Sequence, residues 1–301
     1  MKLIALKALV AAVEDGSLRS AARRIQLSQP ALTKMIRELE LELGATLLTR
    51  TTQGVAPTPQ GQILYERAKK VSRELDSAVD EISQLSGRMR GDLSIVAVPL
   101  AVMLLIPEAL RTFSSELPEI NLRISEELYF EQLERLRRGD VQVAVGGIPK
   151  GLSSGEFVIE PLIETSMVVV VRKGSPLQKA KSLTDLADAK WVYTGNSKDE
   201  GYAKTLDEMH GLVPPHVGAL VNSTLTLLSL VSAGDFVGLM PVQIARSPIA
   251  SQFISIVPIK EKALPLTVGA IVRSDMVVSP SVKHFIKHLH RSAHQAAKLN
   301  L

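Results

Sequence analysis

The chain contains no cysteine. That absence excludes disulfides, thiolate nucleophiles and cysteine-ligated zinc, and leaves carboxylates, Ser and Thr hydroxyls and six histidines as the available catalytic or metal-binding groups. Also missing is any apolar run long enough to span a bilayer. The N-terminus lacks the basic, apolar, small-residue order of a signal peptide, so the expectation is a cytoplasmic protein with no membrane partner. No G-x-S-x-G elbow, P-loop or dinucleotide fingerprint is present, and no Ser-His-Asp constellation can be argued from spacing, so the expected class is not an enzyme. What remains is 301 residues, 46% of them hydrophobic, enough to build two or three domains with a sizeable core.

The stretch 16–61 carries the strongest local signal. Ser17 and Ser28 stand where a hydroxyl caps orphan amides at a helix start, and Pro30 falls in the first turn, where its missing N–H costs nothing. A helix therefore begins near Gln29. Leu32, Ile36, Leu39 and Leu43 recur at 4-3-4 spacing as an apolar face, while Gln29, Thr33 and Arg37 recur at i, i+4, i+8 on another, with Lys34 beside them. The pattern predicts helix, tight turn, second helix with one polar stripe, then a hairpin, which is the order of a DNA reader. Charge agrees: residues 1–90 hold 14 of the 35 Lys and Arg and 10 of the 31 Asp and Glu, so the whole net charge of +4 sits in the N-terminal third. Phosphate contacts that release counterions need such an excess in the DNA-reading part alone.

Thr58-Pro59 predicts a capped start for a polar helix from about Gln60 to Gly87. Leu64, Ala68, Val71, Leu75, Ala78, Ile82 and Leu85 alternate at 4-3 spacing along it, a heptad seam that needs a partner helix. Either the chain's own domain or the same helix of a second subunit can fill that role, and pairing between subunits is the preferred expectation, giving at least a homodimer with two reading helices.

From Asp92 onward short β-rich runs alternate with helices. Expected strands are Leu93–Val98, Ile120–Ser125, Val141–Gly146, Met167–Val171, Trp191–Tyr193, Val217–Val221, Phe236–Met240, Phe253–Val257 and Leu266–Val272. Apolar runs such as 168–171 suit strands buried on both faces, hence mostly parallel α/β sheets, here in two lobes around a cleft. Loops at the carboxyl ends of strands would line the cleft.

Over essentially its whole length the chain resembles the LysR-type transcriptional regulators, most strongly in GSLRSAARRIQLSQPALTKMIRELELELGATLLTR and in the GVAPTPQG that closes the hairpin. The resemblance implies an α/β protein overall: a winged helix-turn-helix at 1–58, a dimerising linker helix at 59–90, and a two-lobed effector domain at 91–301 like a periplasmic solute-binding protein. Lobe I would comprise about 91–162 with 265–301, and lobe II about 163–264. It further implies a homotetramer, built as a dimer of dimers, that binds an inverted repeat in double-stranded promoter DNA. A small molecule in the cleft, commonly an organic anion, would alter contact with RNA polymerase. No further cofactor is implied.

Carried over residue by residue, the resemblance assigns DNA contact to Ser28, Gln29, Pro30, Thr33, Lys34 and Arg37. A serine is usual where Thr33 stands, and the hydroxyl is kept. Gln29 suits adenine or phosphate, and Lys34 and Arg37 suit guanine or phosphate. In the wing, Arg50, Thr52 and Gln53 are candidates. The family more often has arginine where Gln53 stands, so attraction to the minor groove is weakened here, and Arg50 can alternatively pack against its own domain.

For the effector, the turn Pro99-Leu100-Ala101 offers no hydroxyl, where the family often presents Ser or Thr at a helix N-terminus. The other lobe supplies Thr194, Asn196, Ser223 and Thr224, each as a ligand contact or a helix cap, and Tyr129 and Gly147 complete the rim. The expected ligand has an apolar body on the Pro99–Leu100 side and a polar or anionic end toward lobe II. His284 with His288, and His290 with His294, are i, i+4 pairs on a C-terminal helix. They lack a carboxylate nearby in sequence and stand among Lys283, Lys287 and Arg291, so a basic helix covering the sheet is expected there and no metal site. The alternative function is a solute-binding module or α/β enzyme without DNA binding.

Overall fold

The computed structural model describes residues 1–52, 54–148, 155–195, 197, 202–211, 215–275 and 277–298, with the backbone alone at 129 and 130. Two compact units partition the chain: Met1–Ser83 with Arg138–Asp140, and Gln84–Arg137 with Val141–Leu301. Among the described residues no helix is long and apolar enough to cross a membrane.

In the first unit, α1 (Leu3–Asp15), α2 (Leu18–Arg24) and α3 (Gln29–Leu43) precede a hairpin of β1 (Leu48–Thr51) and β2 (Gly54–Pro57) and the long α4 (Pro59–Leu85). Ser17 caps α2 and Ser28 caps α3, accepting from the amides of Ser20 at 3.4 Å and Ala31 at 3.3 Å. Leu32, Ile36 and Leu39 are buried against Ala8, Leu9 and Ala12 of α1 and Ala21 of α2. Leu43, expected on the same face, is exposed: it is the last residue of α3, immediately before the left-handed Gly44, and lies beyond the edge of the core. The Glu40 carboxylate reaches forward to accept from the amides of Leu47 at 2.7 Å and Leu48 at 3.3 Å, which fixes where the hairpin leaves α3.

Two glycines of GVAPTPQG hold the hairpin in place. At Gly54, φ is +132°, and a Cβ would lie 2.1 Å from the Gly16 carbonyl oxygen, which accepts the Val55 N–H at 2.8 Å. At Gly61 a Cβ would fall 1.9 Å from the carbonyl oxygen of Leu47. Thr58 caps α4, accepting from the Gly61 N–H at 3.0 Å while donating to the Thr46 carbonyl at 2.6 Å. Farther along, Glu14 of α1 accepts from Tyr65 at 3.3 Å and pairs with Lys69 at 3.2 Å and Arg24 at 2.9 Å. Burial acts to raise the Glu14 carboxyl, but the two cations hold it below the usual carboxylate range.

The seam of α4 divides. Ala68 is buried and Leu64 half-buried against the first unit's core, whereas Val71, Leu75, Ala78, Ile82 and Leu85 are exposed.

The second unit is built on one continuous sheet. Its elements in chain order are β3 (Gly91–Ala97), α5 (Pro99–Leu104), α6 (Ile106–Glu116), β4 (Ile120–Glu126), α7 (Tyr129–Arg138), β5 (Val143–Gly147), β6 (Phe157–Arg172), β7 (Lys190–Thr194), α8 (Tyr202–His210), β8 (His216–Val221), α9 (Thr224–Ala233), β9 (Phe236–Pro241), α10 (Val242–Arg246), β10 (Ile254–Ile256), β11 (Leu264–Arg273) and α11 (Pro280–Lys298). Strand order is β4-β3-β5-β11-β6-β9-β7-β8, with β10 on β6. At each end three strands run parallel, β4-β3-β5 and β9-β7-β8. The apolar run 168–171, expected in a mostly parallel sheet, instead lies in β6 and pairs antiparallel with β9 and β10, because burial on both faces does not by itself set strand direction. Between them β11 and β6 run antiparallel and join the two lobes. The sixteen-residue β6 pairs with β11 along Phe157–Met167 and with β9 along Met167–Val171, so the strand changes partner at Met167.

A buried pair lies beneath lobe II. The Tyr193 hydroxyl donates to Asp207 Oδ2 at 2.8 Å, and both side chains are buried. Burial raises the Asp207 carboxyl above its ordinary value, and the Glu208 charge adds to this against the Tyr193 bond. A raised folded-state value means that the native state binds more protons than the unfolded one, so stability falls as pH climbs from the unfolded value of 3.8 through the raised one. Asp207→Asn keeps an oxygen for Tyr193 and is expected to raise the melting temperature at pH 7 while flattening this slope. A variant less stable than the parent at pH 7 would contradict it.

At the other end α11 packs on α6 through Phe285 and Phe113, edge to face at 5.4 Å. His288, 1% exposed, places Nδ1 2.7 Å from Thr112 Oγ1 and Nε2 3.1 Å from Glu116, which also meets His284 at 3.2 Å. Burial pushes the His288 imidazole down, against the Glu116 charge. The carboxylate that local sequence did not offer thus arrives from α6, and His288 serves as a tie between helices.

Candidate nucleic-acid interface and ligand cavity

Two features of the molecule can recognise something else, one in each unit. On α3, Gln29, Pro30, Thr33, Lys34, Arg37, Glu38 and Leu41 line one open groove. The stripe faces away from buried Leu32, Ile36 and Leu39 because residues four apart stack on one helix face. Thr33 donates its hydroxyl to the Gln29 carbonyl at 2.9 Å, leaving the oxygen lone pairs outward. Lys34 pairs with Glu38 at 3.7 Å, both side chains well exposed, a contact a phosphate can displace at little cost. Arg37 has no carboxylate within ion-pair reach among the described residues. Arg50 and Thr52 are exposed on the hairpin, so Arg50 does not pack into its own domain. Gln53 lies outside the described residues. Ser28 is engaged as the cap of α3.

In the second unit a cavity of about 60 Å³ lies where the lobes meet, with room for about four to six water-sized groups. Pro99 and Leu100 of α5, Gly147 at the end of β5, Thr194 at the end of β7 and Thr224 at the start of α9 line it, together with Tyr202. The carboxyl ends of parallel strands and the helix starts after them converge here, as the topology of open α/β sheets requires. Apolar surface comes from Val98, Leu128, Met167, Leu239, Met240 and Leu266 among others, and among the described residues none of the lining side chains carries a charge. A Cβ on Gly147 would stand 2.2 Å from the Tyr202 hydroxyl oxygen, so the glycine admits the tyrosine across the cleft.

Two of the expected ligand residues do not line this cavity. Ala101 is fully buried in the core, and Ser223 turns its hydroxyl to cap α9, accepting from Thr226 at 3.5 Å. Asn196 lies outside the described residues, as does the side chain of Tyr129. Tyr202, Met167, Met240, Ile244 and Leu266 were absent from the sequence expectation. The last four are brought in by the pairing of β6, β9 and β11 and the helix after β9, which only a known register reveals.

Sequence and fold both match known proteins. The family model for the LysR substrate binding domain matches residues 86–293, and that for the bacterial regulatory helix-turn-helix protein, lysR family, matches residues 3–62. The chain belongs to the LysR family. It is a DNA-binding transcriptional regulator with an effector-binding domain, not an enzyme, and neither a solute-binding module nor an α/β enzyme is favoured. Among relatives of this LysR chain, the transcriptional regulator TdcA of Escherichia coli K12 is 28% identical over 265 residues, covering 87% of this chain and 83% of TdcA. CysL of Bacillus subtilis is 29% identical over 264 residues, covering 86% and 87%. Full-length CbnR in complex with its target DNA shares the fold, with a TM-score of 0.70 at 24% identity over 97% of this chain and 100% of CbnR.

Within this LysR regulator, Gly147→Ala is expected to displace Tyr202 from the cavity. Protein fluorescence from the single tryptophan, Trp191, and Tyr202 accessibility to iodination report the change. Unaltered Tyr202 protection would contradict the contact.

Proposed function

We propose that this regulator binds an inverted repeat in promoter DNA as a dimer of dimers and changes its grip when a small organic ligand occupies the cavity between the lobes. Residues 1–58 would read DNA, 59–90 would pair subunits, and 91–301 would sense the ligand. Lobe I would comprise about 91–162 and 265–301, and lobe II about 163–264. The observation that carries the reading is the polar stripe of α3, which lies open while its opposite face is locked into the core by Leu32, Ile36 and Leu39. Gln29, Thr33, Lys34 and Arg37 would meet base edges and phosphates, with Ser28 and Pro30 setting the helix start and Arg50, Thr52 and Gln53 following the backbone from the wing.

The exposed part of the α4 seam supports pairing between subunits. Val71 and Ile82 are 44% and 65% exposed, at positions a coiled coil would cover. Val71→Glu with Ile82→Glu is expected to convert the assembly to monomers in analytical ultracentrifugation, and an unchanged mass would overturn the assignment.

The ligand would place its apolar body against Val98, Pro99 and Leu100 and its polar or anionic end toward Thr194, Tyr202 and Thr224, near the amides that open α9. It acts only if it binds one lobe closure better than another, which shifts the spacing of the DNA-reading heads, the DNA bend and the contact with RNA polymerase. The compartment is the cytoplasm. The test is a footprint and bend angle of ligand-saturated against ligand-free protein on its operator. Different patterns are expected, and identical ones would defeat the scheme.

A further inference from the structure

Among the described residues no charged side chain lines the main cavity. The last turn of α5 and the helix α10 also border a second, larger cavity of about 310 Å³, lined by Met103, Leu104, Val242, Gln243, Arg246, Ser247 and Pro248. We propose that this groove is a second ligand site, which takes a small carboxylate with an apolar body, held by Arg246.

The lining has the two halves such a ligand needs. Met103, Leu104, Val242 and Pro248 form an apolar wall. Three donors face it. Arg111, Arg123, Arg135, Arg137, Arg172 and Arg273 each hold a carboxylate, whereas Arg246 has none within ion-pair reach among the described residues. Its planar guanidinium is matched to a bidentate carboxylate. The oxygen of the Gln243 amide is held by the Thr165 hydroxyl from β6, which fixes the side chain and leaves its NH2 to donate. Ser247 accepts from the Ala250 N–H at 3.3 Å, so its own hydroxyl hydrogen is available to an acceptor.

The position gives the site a consequence. Leu100 of α5 lines the main cavity while Met103 and Leu104 of the same helix line this one, and Ile244 of α10 lines the main cavity while Gln243 and Arg246 line this one. Helix α5 follows β3 of one lobe and α10 follows β9 of the other. A carboxylate seated here touches both lobes and binds best at one separation of α5 and α10, so its affinity is coupled to that of the main-cavity ligand, reciprocally. This regulatory consequence rests on the effector mechanism proposed above; the binding itself does not.

Methionine methyl groups separate the two cavities. Met103 lines the second, while Met167 and Met240 line the first. Full-length protein with 13C-methyl methionine is titrated with hexanoate, and with hexan-1-ol as the uncharged match. A saturable shift of Met103 with hexanoate is expected, at least tenfold weaker with hexan-1-ol. Arg246→Gln is expected to weaken hexanoate at least tenfold. Gln243→Glu keeps the acceptor for Thr165 and opposes an anion, and the same loss is expected. Shifts at Met167 and Met240 with Met103 unmoved, or unchanged hexanoate affinity in both variants, would overturn the site. Failure of the wild-type chain to bind any operator would contradict the regulator mechanism instead and leave the Met103 result standing.

Discussion

Gly61→Ala is expected to loosen the whole DNA-reading unit, because its new methyl group would point into the Leu47 carbonyl oxygen at 1.9 Å. The obstacle is backbone, not a flexible side-chain end, so α4 and the strand entering the hairpin must move apart. That motion would break the Thr58 amide bond to the Leu47 carbonyl at 2.9 Å and disturb the cap of α4. The cost should reach about 3 kcal/mol, the upper part of the range for overpacked cores. Hydrogen exchange of amides in α1 to α3 should accelerate by roughly a hundredfold, since each 1.4 kcal/mol is about a factor of ten where local opening governs exchange. Operator affinity should fall at least tenfold. Unchanged exchange would show that the close approach at Gly61 does not constrain the domain.

Arg37→Ala is expected to produce the largest loss of operator affinity for the least structural damage. The side chain is exposed, has no carboxylate partner among the described residues and packs on nothing that supports the core, so its removal should leave the fold intact. A base-edge contact would cost about 1–3 kcal/mol and relax preference at one base pair of each half-site. A phosphate contact would weaken all sequences alike and reduce the salt slope by about one. Lys34→Ala should show the second pattern more strongly, because an ammonium is a point charge without the fork that reads guanine. Less than a twofold change in Arg37→Ala would remove α3 from the interface.

How much of this was legible in the residues follows from which forces are local. Ser17, Ser28 and Thr58 announced three helix starts correctly because a cap bonds amides two or three residues away. The stripe of α3 was visible since helical period alone decides it. The fold class and the expected strands of the second unit emerged from apolar runs. The first half of β6, Phe157–Ser166, did not: it carries Pro161 and two glutamates, and it is a strand because it pairs with β11, across a register shift at Val268 and Gly269. Ligand-lining residues divide in the same way. Those at strand ends and helix starts could be located, whereas Met167, Met240 and Leu266 reach the cavity through long-range pairing. The exposure of Leu43 and the capping role of Ser223 depend on where each element ends, which periodicity does not specify.

The most direct test is a footprint of the full-length protein on the DNA immediately upstream of its own gene, repeated across a salt series with the parent and Arg37→Ala. Protection of an inverted repeat that fades steeply as salt rises, and that Arg37→Ala loses at lower salt, is the expected result. Absence of protection at every salt concentration, or protection by Arg37→Ala indistinguishable from the parent, would contradict reading of DNA by α3.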